Sequence, residues 1–311
     1  MLLGIEIGGT KLQLVIGDES ATIRECRRLA VNPTEGAVGI RRQIEKALPD
    51  LLRQEKVQAI GVGFGGPVDW RTGTIARSHQ IEGWSGFELA RWLRELAGVP
   101  VVVENDANAG AFGEATRGAG VGFNPVFYVT LGSGAGGGLV VDAKIYHGAV
   151  PGESEIGHVR LDKGGAIVES RCSGWAVDVR IRELIRKQPG SLLARLTAQS
   201  AGGGARHLAA ALAQDDSAAK QILQETAEDL AFGLSHVVHL FHPEVIILGG
   251  GLAKVGEPLR AAVAAVLPEF VMEVFRPGPQ VHLAKLGEDA VPVGALCLAA
   301  RFATKAQPVV T

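Results

Sequence analysis

The sequence predicts an α/β protein of two domains or one large one, and three observations carry that prediction. Apolar runs of strand character alternate with segments of helical periodicity along the chain. Many of those runs end in glycines, which total 42 and are clustered rather than periodic. The length of 311 residues exceeds the usual size of a single domain, about 100–200 residues.

Residues 2–7 form an apolar run that ends in Gly8-Gly9-Thr10-Lys11. Leu12, Leu14 and Ile16 then alternate with Gln13 and Val15 before Gly17-Asp18, which reads as a hairpin with a glycine turn. Residues 22–31 supply a third strand, and 35–56 place Ile40, Ile44, Leu48 and Leu51 on one helical face. Residues 57–64 read as a buried strand ending at Gly65-Gly66-Pro67, followed by a turn at Arg71-Thr72-Gly73 and a short amphipathic helix over 87–96. The β-branched run 101–103 is another interior strand, with Glu104-Asn105-Asp106 at its carboxyl end and a helix over 107–116. Ligands of open α/β sheets collect at the carboxyl ends of strands, which makes this polar triplet a candidate site.

Residues 126–131 restart the pattern, with a glycine turn over 132–138 and a second strand over 139–142. The echo of 4–18 suggests an internal duplication. Helices are expected over 174–187, 192–198, 207–213 and 217–241. The strand 245–248 then runs into Gly249-Gly250-Gly251, and a strand and helix near 281–283 and 293–304 close the chain.

Composition removes several classes of function. Hydrophobic residues at 47% and charged residues at 21% argue against disorder. A net charge of −2 leaves no basic excess for a nucleic-acid backbone or an anionic membrane. Cys26, Cys172 and Cys297 lie far apart with no CxxC spacing, which predicts neither a disulfide framework nor a sequence-local zinc cluster, and a reducing cytoplasm as the site of action. The start MLLGIEIGG lacks a basic leader, and the apolar run near 237–248 is interrupted by His239, His242, Pro243 and Glu244, so neither a signal peptide nor a membrane span is expected.

Two glycine motifs invite dinucleotide readings. Gly61-Val-Gly63-Phe-Gly65-Gly66 and Gly132-Ser-Gly134-Ala-Gly136-Gly137 match GxGxxG, but a dinucleotide turn opens a helix and neither match does. Gly8-Gly9-Thr10-Lys11 has threonine and lysine in the wrong order for a Walker A loop. Glycine turns of this kind still present successive N–H groups to an anion, or they serve only as tight hairpins.

The blocks Gly4-Ile-Glu-Ile-Gly8-Gly9-Thr10-Lys11, Glu104-Asn105-Asp106-Ala107-Asn108, Leu131-Gly132-Ser-Gly134-Ala-Gly136-Gly137-Gly138, Glu155-Ile-Gly157-His158 and Ile246-Ile-Leu-Gly249-Gly250-Gly251 resemble, in order, those of the ROK family of repressors, open reading frames and sugar kinases. Residues 287–295 resemble the family's closing segment, so the resemblance spans nearly the whole chain. It implies an actin-like or hexokinase-like ATPase fold of two α/β domains, with the active-site cleft between them. The expected domains are 1–116, carrying the first phosphate motif and the Asn-Asp pair, and 117–311, carrying the second phosphate and adenosine motifs, with the last helix packing back on the first domain.

The resemblance also implies an ATP-dependent kinase acting on a hexose, with glucose and its 6-OH as the default. Mannose, allose, fructose and N-acetylmannosamine are alternatives, as is a sugar-binding regulator without turnover. Asp106 would take the hydroxyl proton, beside Asn105 and Gly65 at the sugar. A cap for the following helix is the competing role for Asp106. Gly8, Gly9, Thr10 and Lys11 would contact phosphates from one domain and Gly132, Ser133 and Gly134 from the other, with Gly249, Gly250 and Gly251 at the adenosine or in a plain strand-to-helix turn. Glu6 stands where the family usually has aspartate and would hold Mg²⁺ through water.

Glu155 and His158 match the family's sugar-contact block, His158 otherwise being a structural histidine. Many members bind zinc through that histidine and three cysteines, but no cysteine lies between His158 and Glu169, so no structural zinc is expected. Glu169 is the candidate for the sugar-contact glutamate that follows the cysteines in relatives, because Ser173-Gly174 fits the helix start beyond it. Gln80 and Trp84 are expected near the domain cleft and to help select the sugar, since Gln80-Ile-Glu-Gly-Trp84 stands where relatives often have Asn-x-Pro-Gly-Trp. The other seven histidines read as surface or core residues, and Cys172 as a small buried side chain. Repressor members carry a winged helix-turn-helix ahead of the first motif, which begins here at residue 4, so the kinase is favoured. The expected partner is a small sugar, with no nucleic acid and no membrane, and the family resemblance implies a homodimer.

Overall fold

The computed structural model describes residues 1–77, 81–152, 154–199 and 203–306. Its elements begin β1 (Leu2–Ile7), β2 (Lys11–Gly17), β3 (Ile23–Ala30), α1 (Gly36–Gln54), β4 (Ile60–Phe64), β5 (Val68–Asp69), β6 (Thr74–Ile75), α2 (Leu89–Ala97), β7 (Val101–Asn105) and α3 (Asp106–Arg117). They continue β8 (Val126–Leu131), β9 (Ala135–Val141), β10 (Lys144–Ile145), α4 (Val168–Cys172), α5 (Gly174–Lys187), α6 (Leu192–Ala198), α7 (Leu208–Leu212) and α8 (Ser217–Phe241). The last are β11 (Val245–Gly249), α9 (Glu257–Phe270), β12 (Gln280–Leu283) and α10 (Ala290–Ala306).

Among the described residues the two large sheets have the strand orders β3-β2-β1-β4-β7 and β10-β9-β8-β11-β12. The two orders trace the same path, a hairpin at one edge leading into parallel strands. In the first sheet β1 is antiparallel to β2 and parallel to β4, and β4 is parallel to β7. In the second, β8 is parallel to β11 and β11 to β12. Parallel pairing brings the carboxyl ends of β1, β4 and β7 side by side, and likewise those of β8 and β11.

The chain divides into two compact units. One comprises Met1–Val121, Gly138–Ser154 and the segment from Glu288; the other comprises Gly122–Gly137 and Glu155–Gly287. In the first unit α1 buries Ile40, Ile44, Leu48 and Leu51, the stripe that its periodicity predicts, together with Ala37. On the sheet, β4 begins at Ile60 rather than at 57, because the chain leaving α1 is still turning, with the Val57 N–H donating to Glu55 O at 2.9 Å.

The helix α10 lies against α3, β1 and β4. A Cβ at Gly61 would strike the carbonyl of Ala295, and one at Gly294 the carbonyl of Ala109. Backbone atoms cannot move aside as side chains can, so glycine at these positions is what lets the helix backbone rest on its neighbours. Two glycines of the first GxGxxG match, Gly61 and Gly63, thus form a bed for α10, Gly63 facing Val291.

In the second unit Asp216 caps α8 through the Ala219 N–H at 2.9 Å and also accepts the Leu192 N–H at 2.7 Å, tying the start of α6 to α8. The helix ends at His242, in the left-handed conformation, just before Pro243. Two helices fall outside the elements expected from sequence, α4 and α9. The α9 helix buries Leu259, Val263, Val266 and Leu267, but Pro258 and Pro268 lie within the periodic stretch and interrupt it. Among the described residues no helix is long and apolar enough to cross a membrane.

Candidate active site

The first unit gathers its predicted residues where β1, β4 and β7 end together, Ile7 pairing with Phe64 and Phe64 with Asn105. The Gly65 N–H donates to Ile7 O at 2.8 Å, and the Gly8 N–H to Lys11 O at 2.9 Å, closing the first glycine turn. A Cβ on Gly65 would sit 3.4 Å from Asp106 Oδ2 and 3.6 Å from Gly8 Cα. Gly8, Gly65 and the Asp106 carboxylate therefore share one small volume.

Asn105 is the residue that caps α3: its Oδ1 accepts the Asn108 N–H at 3.1 Å. Its Nδ2 donates to Gly66 O at 3.2 Å, fixing the side chain between two strand ends. Asp106 follows the cap, with Oδ1 accepting the Ala107 N–H at 2.8 Å and Oδ2 on the Gly65 side.

Glu104, immediately before the pair, is buried. Its Oε1 accepts the Asn105 N–H at 3.0 Å and Asn108 Nδ2–H at 3.1 Å, while Oε2 lies 2.6 Å from His147 Nε2. The His147 ring stacks on Trp70, with centroids 4.2 Å apart. Asn108 Nδ2 also donates to Gly152 O at 2.9 Å. Sequence reasoning assigned no site role to His147, Trp70 or Asn108. Glu104 and Asn108 flank the Asn-Asp pair in one short block, whereas nothing local in sequence links His147 to it.

Glu6 pairs across the hairpin with Gln13. One carboxylate oxygen lies 3.0 Å from Lys11 Nζ, and the other accepts Gln13 Nε2–H at 2.5 Å. Gln13 in turn accepts Arg28 Nε–H at 2.6 Å. Both oxygens of Glu6 are thus engaged, one by a cation, and this donor set does not suit direct coordination of Mg²⁺, which needs open oxygen ligands. Among the described residues no three of His, Cys, Asp and Glu group as metal ligands.

In the second unit the turn after β8 closes with the Gly132 N–H on Gly134 O at 2.9 Å, and Gly132 O accepts the Gly174 N–H at 2.7 Å from the start of α5. Glu169 on α4 reaches this turn, its Oε2 accepting the Ala135 N–H at 2.9 Å. The same oxygen lies 2.5 Å from where a Cβ on Gly134 would be, so the glycine makes room for the carboxylate. Beside it, Gly250 has φ +80 and rests on the backbone of Leu131, a conformation and an approach that both require glycine. Gly132–Gly134 and Gly249–Gly251 therefore line adjacent strand ends, with no Cβ neighbour within 4 Å at Gly132 or Gly251. This open, glycine-lined backbone fits a phosphate-bearing ligand.

Glu155 and His158 flank a short 3₁₀ turn, partly to largely exposed, with His158 Nδ1 3.4 Å from Glu155 Oε2. Gly157 between them packs on the carbonyl of Ala135, the residue whose N–H Glu169 holds. Glu169 and the turn that carries Glu155 and His158 thus both abut Ala135. Cys172, on the same helix as Glu169, is buried against Thr226, and burial pushes its thiol up to about 12, an inert group. Trp84 is buried in an aromatic cluster with Phe64 and Phe87, while Gln80 lies outside the described residues.

A model of the ROK family matches residues 2–301. The glucokinase of Streptomyces coelicolor is 32% identical over 314 residues, covering 96% of this chain and 97% of that protein. The glucokinase of Thermotoga maritima is 29% identical over 305 residues, covering 94% and 95%. The solved ROK family glucokinase of Streptomyces griseus, in complex with glucose and AMPPNP, superposes with a TM-score of 0.85 at 32% identity, over 96% of this chain and 99% of that one.

Proposed function

The chain belongs to the ROK family, and from that premise we propose its reaction in full: it is an ATP-dependent hexose kinase whose acceptor is the 6-OH of glucose. The observation that supports the reaction best is the position of Asp106. Asn105 supplies the helix cap, and Asp106 stands one residue beyond it with Oδ2 turned to the Gly8–Gly65 side.

Asp106 accepts the proton of the sugar hydroxyl as that oxygen bonds to the γ-phosphorus and the bond from that phosphorus to the ADP oxygen breaks. Asn105, Glu155, His158 and Glu169 orient the sugar, with Gly65 leaving room for it. Gly8, Gly9, Thr10 and Lys11 hold phosphate oxygens from the first unit, and Gly132, Ser133 and Gly134 from the second, through N–H groups and the Lys11 ammonium. Gly249, Gly250 and Gly251 receive the adenosine. Mg²⁺, when bound, would neutralise phosphate charge; Glu6 holds the Lys11 ammonium beside the phosphate turn. The family resemblance further supports a cytoplasmic homodimer.

A coupled ADP-release assay over a panel of hexoses, with ATP and Mg²⁺, tests the proposal. Glucose-dependent ADP release is expected. Release with another hexose alone would move the substrate, and sugar binding without release from any would replace the kinase with a regulator.

A further inference from the structure

The Glu104 carboxyl group lies almost out of water, at 4% exposure, and is attached to the backbone of the pair proposed to do the chemistry. A buried carboxylate is tolerated only when both oxygens find donors. On Oε1 the donors are the Asn105 N–H and the Asn108 amide, at 3.0 and 3.1 Å. On Oε2 the partner is His147 Nε2 at 2.6 Å. A carboxylate only accepts, so Nε2 is the donor.

We propose that His147 is a positioning residue for phosphoryl transfer: by donating to Glu104 Oε2 it holds the carboxylate that fixes Asn105 and the first turn of α3, and with them Asp106. The inference rests on the assignment of Asp106 as the base. One oxygen, Oε1, clamps both ends of the four-residue frame in which Asp106 sits, since Asn108 also gives its N–H to Asn105 Oδ1. Without a donor on Oε2 the carboxylate turns toward water and both clamps on Oε1 loosen. Trp70 sets the direction of the donor: its ring lies 4.2 Å from the imidazole at 15° to it, a stack that leaves the imidazole little freedom to swing. The segment bearing His147 is also tied to α3 through its backbone, Gly152 O accepting from Asn108 Nδ2 at 2.9 Å. The backbone near His147 thus keeps an anchor when only its side chain is changed.

Four proteins separate this role from a merely structural one: wild type, His147→Phe, His147→Gln and Asp106→Asn. Each is assayed for ADP release with its preferred hexose, for KM of sugar and ATP, and for its unfolding midpoint. His147→Phe keeps a stacked ring and loses the donor, so kcat should fall about 10- to 100-fold, the effect of displacing a catalytic group by a fraction of an ångström to an ångström, with ATP KM within about twofold. His147→Gln restores a donor and should recover most of kcat. Should His147→Phe fail to fold, His147→Asn, whose amide is too short to reach Oε2, takes its place against His147→Gln. Wild-type kcat in the donorless variant overturns the inference, as does an equal loss in His147→Gln. If Asp106→Asn turns over like wild type, the assignment of the base falls and this inference with it; if only Asp106→Asn is impaired, the positioning role alone falls.

Discussion

Glu169 Oε2 and the Ala135 N–H meet at 2.9 Å, which joins the helix α4 to the strand that leaves the second glycine turn. The carboxylate proposed to touch the sugar therefore also holds the frame of a proposed phosphate turn. Glu169→Gln keeps the shape and removes the charge, and loss of one charge-assisted hydrogen bond costs about 1.5–3 kcal/mol. The expected outcome is a sugar KM raised about tenfold or more and an ATP KM raised by no more than about threefold. Steady-state kinetics with each substrate varied in turn checks this. A change confined to ATP KM would leave Glu169 as a support of the turn alone.

Asp106→Asn should lower kcat by about 10²–10⁴, the usual share of a positioned base. Asn105 keeps the cap of α3 in this variant, so the helix start should stay intact and sugar binding should survive. Turnover together with calorimetric titration of sugar reads both quantities, and near wild-type turnover would remove Asp106 from the chemistry.

Glu6→Gln tests the Lys11 contact. With Glu6 engaged by Lys11 and Gln13, the concentration of Mg²⁺ giving half-maximal activity should shift by less than about twofold, while ATP KM rises several-fold as the ammonium loses the negative charge of its partner at 3.0 Å. Titrating Mg²⁺ at saturating ATP distinguishes the cases. A tenfold rise in the Mg²⁺ requirement would make Glu6 a metal-holding residue after all.

Gly61→Ala should destabilise the first unit by about 1–3 kcal/mol or more, since its Cβ meets the backbone of α10. Chemical denaturation reads the difference. A variant as stable as wild type would mean that α10 does not rest on β4 as described.

Much of this fold is written in local pattern. The hairpin around Gly8–Lys11 announces itself by a glycine turn between alternating apolar residues, and the stripe Ile40-Ile44-Leu48-Leu51 is the buried face of α1. The Asn105-Asp106 pair is legible because it ends a β-branched run. Other features depend on partners far along the chain. Gly61 and Gly63 match a phosphate-binding fingerprint, and only the arrival of Ala295 and Val291 reveals them as packing glycines. His147 meets Glu104 across 43 residues with no periodicity to signal it. The α9 stripe was present at Leu259, Val263, Val266 and Leu267, but its prolines hid it.

The bed of glycines under α10 also bears on how the protein is born. Every residue of Gly122–Gly137 and Glu155–Gly287 leaves the ribosome before α10 does, yet α10 covers β1 and β4, which emerged first. The second unit thus has all its chain available while the first still waits for its covering helix, reversing the usual order in which N-terminal domains fold ahead of later ones. During that interval the face of β4 around Gly61 and Gly63 is uncovered, an apolar surface that the finished protein no longer shows.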